Sequence, residues 1–119
     1  EETHIMENVI YNELRLRGYG VDVGVVEVRE SNANGNSSRK QIEVDFVCNQ
    51  GSRRYYIQSA FALPTPEKAE QEFRPLRNIP DSFKKIVIVK DDILVRRNED
   101  GIVTMGLKQF LLDENSLEL

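Results

Sequence analysis

The chain has little of several residue types, and each scarcity excludes a kind of site. Its single cysteine, Cys48, cannot form an internal disulfide, and its place in an apolar strand-like pattern is typical of a buried thiol. We therefore expect a reducing, cytoplasmic setting. His4, the sole histidine, has no second histidine with which to share a metal, so a surface position is expected.

Long apolar runs and an excess of basic residues are also missing. The longest apolar runs, such as 86–89, fall far short of the ~20 residues that a membrane helix needs, so we expect no membrane partner. A net charge of -4 provides no global field for a polyanion, and nucleic-acid binding would need a local basic patch. No glycine-rich phosphate loop of the Walker type occurs, so this stretch alone is not expected to hydrolyse nucleotides.

The composition that remains is that of a globular α/β domain. With 119 residues, 39% hydrophobic and 30% charged, the chain predicts one domain over residues 1–119. It opens at Glu1 without an initiator methionine, which predicts a piece of a longer protein. The element order αβββαβ, followed by further strands and a helix, predicts a three-layer α/β/α fold with a mixed central sheet.

Hydrophobic periodicity and turn residues give the predicted bounds. Helices are expected at 3–17, 67–76 and 107–112, and strands at 19–29, 41–48, 54–62, 85–89, 93–96 and 101–105. The polar, glycine-containing stretch 31–38 predicts a hairpin loop. In the second strand, alternation places Ile42, Val44, Phe46 and Cys48 on one face and Glu43, Asp45 and Val47 on the other.

Two neighbouring strands, joined by a short polar turn at 49–53, carry the most informative side chains. Asp45 on the first strand, with Gln58 and Ala60 on the second, resembles the PD-(D/E)XK nuclease pattern of an acid followed by acid-x-lysine. The resemblance implies that Asp45 and Gln58 are candidate Mg²⁺ ligands. A glutamine carbonyl holds a hard dication more weakly than a carboxylate does, and the methyl group of Ala60 cannot replace an ammonium group. The pattern therefore predicts a relic of a nuclease site.

Other charged side chains leave alternatives open. Glu7, beside the apolar face of the first helix, either adds a further acid to the site or lies at its rim. Lys68, Lys84 and Lys85 are the ammonium candidates, and each fits an ordinary surface charge. Arg53 and Arg54 are expected beside the site. They either bind the phosphates of a nucleic-acid backbone or are ordinary solvent-exposed charges of a turn. Asp45 itself fits a carboxylate on a solvated sheet face.

Several segments in fixed order resemble one family over nearly the whole chain. The helix 6–14 with Arg17-Gly18-Tyr19, then 43–47, 56–59 and 72–76, resemble the uncharacterised C-terminal domain of bacterial and archaeal AAA-type ATPases. The resemblance implies a restriction-endonuclease-like fold and candidate catalytic residues Glu7, Asp45 and Gln58. It also implies an ATPase domain of the same parent chain as a partner.

Three hypotheses follow for the function. The first is a catalytically impaired, nuclease-like accessory domain that contacts nucleic acid or a protein partner. The second is a Mg²⁺-dependent DNA nuclease that recruits a lysine from elsewhere in the chain. The third is a purely structural interaction domain with no ligand at the relic site.

Overall fold

The computed structural model describes residues 2–119, so Glu1, with which the predicted domain begins, lies outside the described residues. The elements follow the predicted order. They are α1 (Glu2–Leu16), β1 (Gly20–Ser31), β2 (Ser37–Gln50), β3 (Arg53–Ala60), α2 (Pro66–Arg77), β4 (Lys84–Val89), β5 (Arg96–Arg97), β6 (Val103–Gly106) and α3 (Leu107–Leu112). A short 3₁₀ turn, Ser116–Glu118, follows α3.

The strands form a mixed six-stranded sheet in the order β1-β2-β3-β4-β6-β5. β1, β2 and β3 pair antiparallel, β3, β4 and β6 pair parallel, and β5 closes the other edge antiparallel to β6. The parallel neighbours β3 and β4 require a crossover connection, which α2 provides. The expected α/β fold with a mixed sheet is confirmed.

Apolar side chains pack on both faces of the sheet. On one face, α1 and α3 cover a cluster that includes Met6, Ile10, Leu14, Phe46, Ile57, Ile86, Met105 and Phe110. On the other face, α2 covers a cluster that includes Val28, Ile42, Val44, Val47, Tyr56, Leu76, Val87 and Ile102. Each fully buried aliphatic side chain contributes roughly 1.5–3 kcal/mol to folding. The helices and the sheet therefore form three layers.

Local sequence explains where the helices begin and which face they bury. In α1, the buried residues Met6, Ile10 and Leu14 recur every four positions, so they form one apolar stripe. At the start of α2, the Thr65 hydroxyl accepts a hydrogen bond from the Lys68 N–H, and Pro66 occupies the first turn, where no N–H is needed. Among residues 2–119, no helix is both long and apolar enough to cross a bilayer.

Two predicted bounds are wrong for identifiable reasons. The loop expected at 31–38 is shorter, because the Asn32 side-chain oxygen accepts hydrogen bonds from two backbone N–H groups of the turn and lets both strands continue. The strand expected at 93–96 is reduced to Arg96–Arg97. Only these two residues pair with β6, opposite Thr104 and Val103, and the preceding residues are irregular.

The predicted single alternation along β2 is also wrong. Asp22 pairs with Val47 and Gly24 with Val44, so two steps on β1 match three steps on β2. The extra β2 residue is a β-bulge, which changes the face that the following side chains occupy. Val44 consequently joins the cluster under α2, whereas Phe46 joins the cluster under α1.

Candidate functional site

Asp45 and Gln58 meet where β2 and β3 diverge. Regular pairing of these strands stops at Phe46 and Ile57, and β2 continues paired with β1 alone. One step further, the Asp45 N–H donates to the Gln58 Oε1 at 2.8 Å, and the Ser59 N–H donates to the Asp45 Oδ2 at 2.7 Å. The expected convergence of the Asp45 and Gln58 side chains is therefore present. Their oxygen atoms replace the carbonyl groups that a continuing ladder would supply.

These two residues form the floor of an open pocket of about 380 Å³ between α2 and the bulged hairpin. We call it the acidic pocket, since its polar lining consists of Glu43, Asp45, Gln58, Gln71 and Glu72. No lysine or arginine lines it among the residues that the structure describes. The pocket therefore offers oxygen atoms and negative charge to whatever enters it.

The two half-buried carboxyl groups of the pocket hold their protons more tightly than usual. Burial raises the pKa of Asp45, the hydrogen bond from the Ser59 N–H opposes that rise, and the charge of Glu7 adds to it. Burial also raises the pKa of Glu72, with a further increase from the charge of Asp45 and an opposing effect from Lys68. Asp45 and Glu72 thus act on each other as like charges.

Glu7 approaches the site from the opposite layer. It lies on α1, half-buried, and its carboxylate is 3.6 Å from the Nδ1 of the exposed His4. Because its charge raises the pKa of Asp45, its influence reaches the gap between β2 and β3. Among the described residues, however, Glu7 makes no hydrogen bond to Asp45 or Gln58. Its place is at the rim of the site, close enough to act by charge.

The ammonium candidates are placed very differently. Lys84 and Lys85 begin β4, at the far end from the site, and their amino groups donate to the carbonyl oxygens of Leu117 and Asp81 at 2.6 and 2.7 Å. The Ala60 side chain is buried under α2 and offers only a methyl group. Lys68, one helical turn before Glu72, is the lysine whose charge reaches the acidic pocket.

The donor set does not fit a tight magnesium centre. Within residues 2–119, no three histidine, cysteine, aspartate or glutamate side chains come together in a metal-binding group. The Gln58 carbonyl and one oxygen of Asp45 already accept backbone hydrogen bonds. Mg²⁺ demands near-ideal octahedral geometry and is usually held by one or two carboxylates together with waters, whereas here one oxygen of the only carboxylate in the pair and the neutral amide oxygen are already committed. Asp45 and Gln58 are therefore poor candidates for the Mg²⁺ ligands that the sequence resemblance implies.

Arg53 and Arg54 do not lie beside the acidic pocket, contrary to expectation. They begin β3, and Gln58 lies four to five residues further along the strand, a separation of roughly 13–17 Å. An Arg53 guanidinium nitrogen is 3.7 Å from a Glu118 carboxylate oxygen, and the Arg54 Nε donates to the Asn49 Oδ1 at 2.8 Å. The prediction is wrong because the site lies at the end of the β2–β3 pair near the bulge and not at the turn that joins the two strands.

Cys48, the single cysteine, and His4, the single histidine, lie where the sequence predicts, one buried and one exposed. Cys48 is fully buried under α1, and burial raises the pKa of its thiol to about 12, which disfavours the reactive thiolate form. His4 lies on the exposed side of α1.

Glu72 is the residue of this site that sequence reasoning missed. On α2 it directly precedes Phe73, which packs toward the sheet, and it lies four residues after Lys68. That spacing is typical of an ordinary surface ion pair, which is why the sequence alone does not single it out. A signal is nonetheless present, since a carboxylate next to Phe73 on an amphipathic helix borders its buried face.

Comparisons with known proteins place the fold and leave the activity open. No family model matches the chain. The chain is 32% identical over 107 residues to an uncharacterized protein of Haemophilus influenzae, a match that covers 90% of this chain and 22% of that relative. A solved structure, described as a protein of unknown function, AF1548, is similar with a TM-score of 0.51 at 15% identity, over 87% of this chain and 57% of that one. At this identity the structural likeness concerns the fold alone.

Proposed function

We propose that this chain is a catalytically impaired, nuclease-like accessory module whose acidic pocket contacts a protein partner. The hydrogen bonds between Asp45, Gln58 and Ser59 are the observation that carries the proposal. They commit the oxygen atoms that a nuclease would use for its metal to holding two diverging strands together. Because Ala60 supplies no ammonium group, the site lacks the cation that would position water and offset developing charge.

The surroundings of the pocket favour a protein over nucleic acid as its ligand. Val23 and Val25 lie on its rim and are 70% and 54% exposed, although both belong to edge strand β1. The pocket is lined by the carboxyl groups of Asp45 and Glu72, which would repel a phosphate backbone. A basic side chain flanked by apolar residues, presented by a protein surface, complements both features.

A cleavage assay tests the impaired state. The chain is incubated with supercoiled, linear and single-stranded DNA in the presence of Mn²⁺ or Mg²⁺, beside the variant Asp45→Ala. We expect no cleavage of any substrate and no difference between the two proteins. Metal-dependent cleavage that disappears in Asp45→Ala would contradict the proposal.

One observation favours a second candidate, the nuclease with a relocated lysine. The charge of Lys68 opposes the rise in the pKa of Glu72, so this ammonium group acts on the pocket from α2. If it replaces the missing lysine, cleavage is lost in Lys68→Ala and retained in Lys108→Ala, an exposed helix lysine on α3. Absence of cleavage in the unaltered chain removes this candidate.

The partner is tested in the longer parent chain. We propose that the partner is an ATPase region of the same polypeptide, which the match to only 22% of the Haemophilus influenzae relative supports by leaving room for it. Hydrogen exchange at residues 23–25 should be slower in the full-length protein than in this chain. The variant Val25→Asp should abolish that protection, whereas Leu94→Asp, at an exposed position shortly before the opposite edge strand β5, should not.

Two further experiments separate the remaining hypotheses. Salt-dependent retention on DNA that is lost in Arg53→Ala/Arg54→Ala, but not in Arg39→Ala/Lys40→Ala at the hairpin tip, would establish nucleic acid as the ligand. A Walker motif in the full-length gene product would support the AAA-type parent, and its absence would contradict it. The proposal places the protein in the cytoplasm, which is compatible with its single buried thiol.

A further inference from the structure

A second cleft, which shares no lining residue with the acidic pocket, combines positive charge with an apolar wall. It has a volume of about 360 Å³ and lies between the start of α2 and strand β5. One wall is apolar and includes Leu63, Pro66 and Phe73, and the other is polar, formed by Arg96, Arg97, Asn98 and Thr104. No aspartate or glutamate lines it within residues 2–119, although the whole chain has a net charge of -4. We call it the arginine cleft.

The strand register directs Arg96 into this cleft. Arg96 pairs with Thr104 across the antiparallel β5–β6 ladder, so the two side chains share one face of the sheet. Thr104 lies on the α2 face, since its neighbours Val103 and Met105 belong to the cluster under α1. The next residue, Arg97, pairs with Val103 and also contributes to the lining of the cleft.

Arg96 is the charged group of the cleft that has no protein partner. It forms no ion pair or side-chain hydrogen bond within the part of the chain that the structure describes, whereas Arg97 donates to the Leu119 carbonyl oxygen at 3.4 Å. The side chains of Thr65 and Asn98, which also line the cleft, accept hydrogen bonds from backbone N–H groups. Thr104 is 2% exposed and lines the cleft from β6. The donors of the Arg96 guanidinium are therefore available to a ligand in the cleft.

We infer that the arginine cleft binds a small organic anion. Its phosphate or carboxylate head would accept hydrogen bonds from the Arg96 guanidinium and the Thr104 hydroxyl, and its apolar body would pack against Phe73 and Pro66. The cleft volume suits a ligand of that size, because small-molecule sites typically span about 300–1,000 Å³. This site goes beyond the proposed function and does not depend on the acidic pocket.

Four probes identify the recognised chemistry in an NMR titration of the intact chain. Phenyl phosphate and benzoate carry the same ring on different heads, inorganic phosphate lacks the ring, and benzyl alcohol lacks the charge. We expect saturable shifts at residues of the cleft with phenyl phosphate or benzoate, with a Kd on the order of 1 mM. Inorganic phosphate and benzyl alcohol should each bind about tenfold more weakly or worse. The preferred head then distinguishes a phosphate monoester from a carboxylate.

Matched variants decide whether the named residues are responsible. Arg96→Ala should weaken the better probe by about tenfold or more, and Thr104→Val, which removes only the hydroxyl, by about threefold to tenfold. Arg15→Ala removes the same charge from the exposed surface of α1, on the opposite face of the sheet, and should leave affinity within about twofold. Asp45→Ala should bind the probe normally, so failure of this site is distinguishable from failure of the proposed function.

Three results would overturn the inference. They are equal affinity in Arg96→Ala and the unaltered chain, shifts that map outside the cleft, and no saturation by either ring-bearing anion up to about 20 mM, a concentration well above the expected Kd. Thermal unfolding of each variant shows that it is folded at the temperature of the titration.

Discussion

The backbone N–H of Asp45 donates a hydrogen bond to the side-chain oxygen of Gln58, at 2.8 Å, at the point where β2 separates from β3. The bond makes Gln58 a structural residue, because it satisfies a half-buried N–H that the diverging strand leaves without a carbonyl partner. Gln58 is itself only 7% exposed. Its role can therefore be separated from any role in catalysis by measuring stability alone.

Replacing Gln58 by leucine should destabilise the fold. Gln58→Leu keeps an apolar stem of similar size but removes the acceptor, so we expect a loss of about 1–3 kcal/mol in the free energy of unfolding. Urea denaturation measures it. Gln71→Leu is the matched control, because Gln71 lines the same pocket from an exposed position on α2, and it should change stability by no more than about 0.5 kcal/mol. Equal effects of both variants would show that the Gln58 acceptor is unimportant.

The pH dependence of stability should reveal the carboxyl groups of the acidic pocket. Burial raises the pKa of Asp45 in the folded chain above its ordinary value of 3.8, so the folded state holds the proton more tightly than the unfolded state. Stability is therefore lost as the pH rises from about 3.8 through the folded pKa. Asp45→Asn keeps an acceptor for the Ser59 N–H and does not ionise. Its stability relative to the unaltered chain should increase between pH 3 and pH 7.

Glu72→Gln should show a trend of the same sign, since burial and the charge of Asp45 raise the pKa of Glu72 as well. In the double variant with Asp45→Asn, the effect of Glu72→Gln should be smaller than in the unaltered chain, because one source of repulsion is gone. Thermal unfolding across the pH series measures both. A stability difference that stays constant with pH would contradict the assignment.

Much of the architecture follows from periodicity that can be read along the chain. The stripe of Met6, Ile10 and Leu14 predicts α1, and the apolar run at 86–89 predicts a strand covered on both faces, as β4 is. These predictions succeed because each element buries a continuous apolar surface whose spacing is set by its own backbone geometry. The turn and cap residues then fix the ends to within a few positions.

The predictions that are wrong or missing concern features that depend on how the strands pair and how the helices pack on them. The bulge in β2 is hidden from the sequence, because Val44, Phe46 and Val47 are compatible with either face until the register with β1 is known. Glu72 joins the site only when α2 is laid across the sheet. Likewise, Arg96 and Thr104 share a face because of the β5–β6 register, and a strand of only two residues has no sequence pattern from which that register could be predicted. Local pattern therefore predicts elements well, whereas tertiary register decides which polar groups meet.

Ser59 and Ser116 offer the same substitution with opposite expected signs. The Ser59 hydroxyl is buried and has no hydrogen-bond partner among residues 2–119, so Ser59→Ala should be neutral or stabilising by up to about 1 kcal/mol. The Ser116 hydroxyl donates to the Phe110 carbonyl oxygen at 2.9 Å and accepts from Arg17 at 3.0 Å. Ser116→Ala should therefore cost about 1–3 kcal/mol. A comparable loss in Ser59→Ala would mean that its hydroxyl has an important partner, such as a buried water.

Glu70 should show a pH dependence opposite to that of Asp45. The Arg77 guanidinium donates to both of its carboxylate oxygens, at 2.6 and 2.8 Å, and these bonds, aided by Arg74, lower the pKa of Glu70 to about 2. The stabilisation is therefore present above the ordinary value of 4.5 and is lost as the pH falls toward 2. Glu70→Gln should be less stable than the unaltered chain at pH 7, with a difference that shrinks between pH 4.5 and pH 2.

Ionic strength and one further variant test the cause of this effect. The groups are partly exposed, so 1 M salt should reduce the difference at pH 7. The planar guanidinium of Arg77 contacts both Glu70 and Asp100, the latter at 3.0 Å. Arg77→Lys keeps the positive charge but loses this planar group, so it should retain only part of the stabilisation. Denaturant unfolding at the two pH values and two salt concentrations gives all of these quantities. A loss in Glu70→Gln that is independent of both pH and salt would assign the stabilisation to packing of the α2 surface instead of the ion pairs.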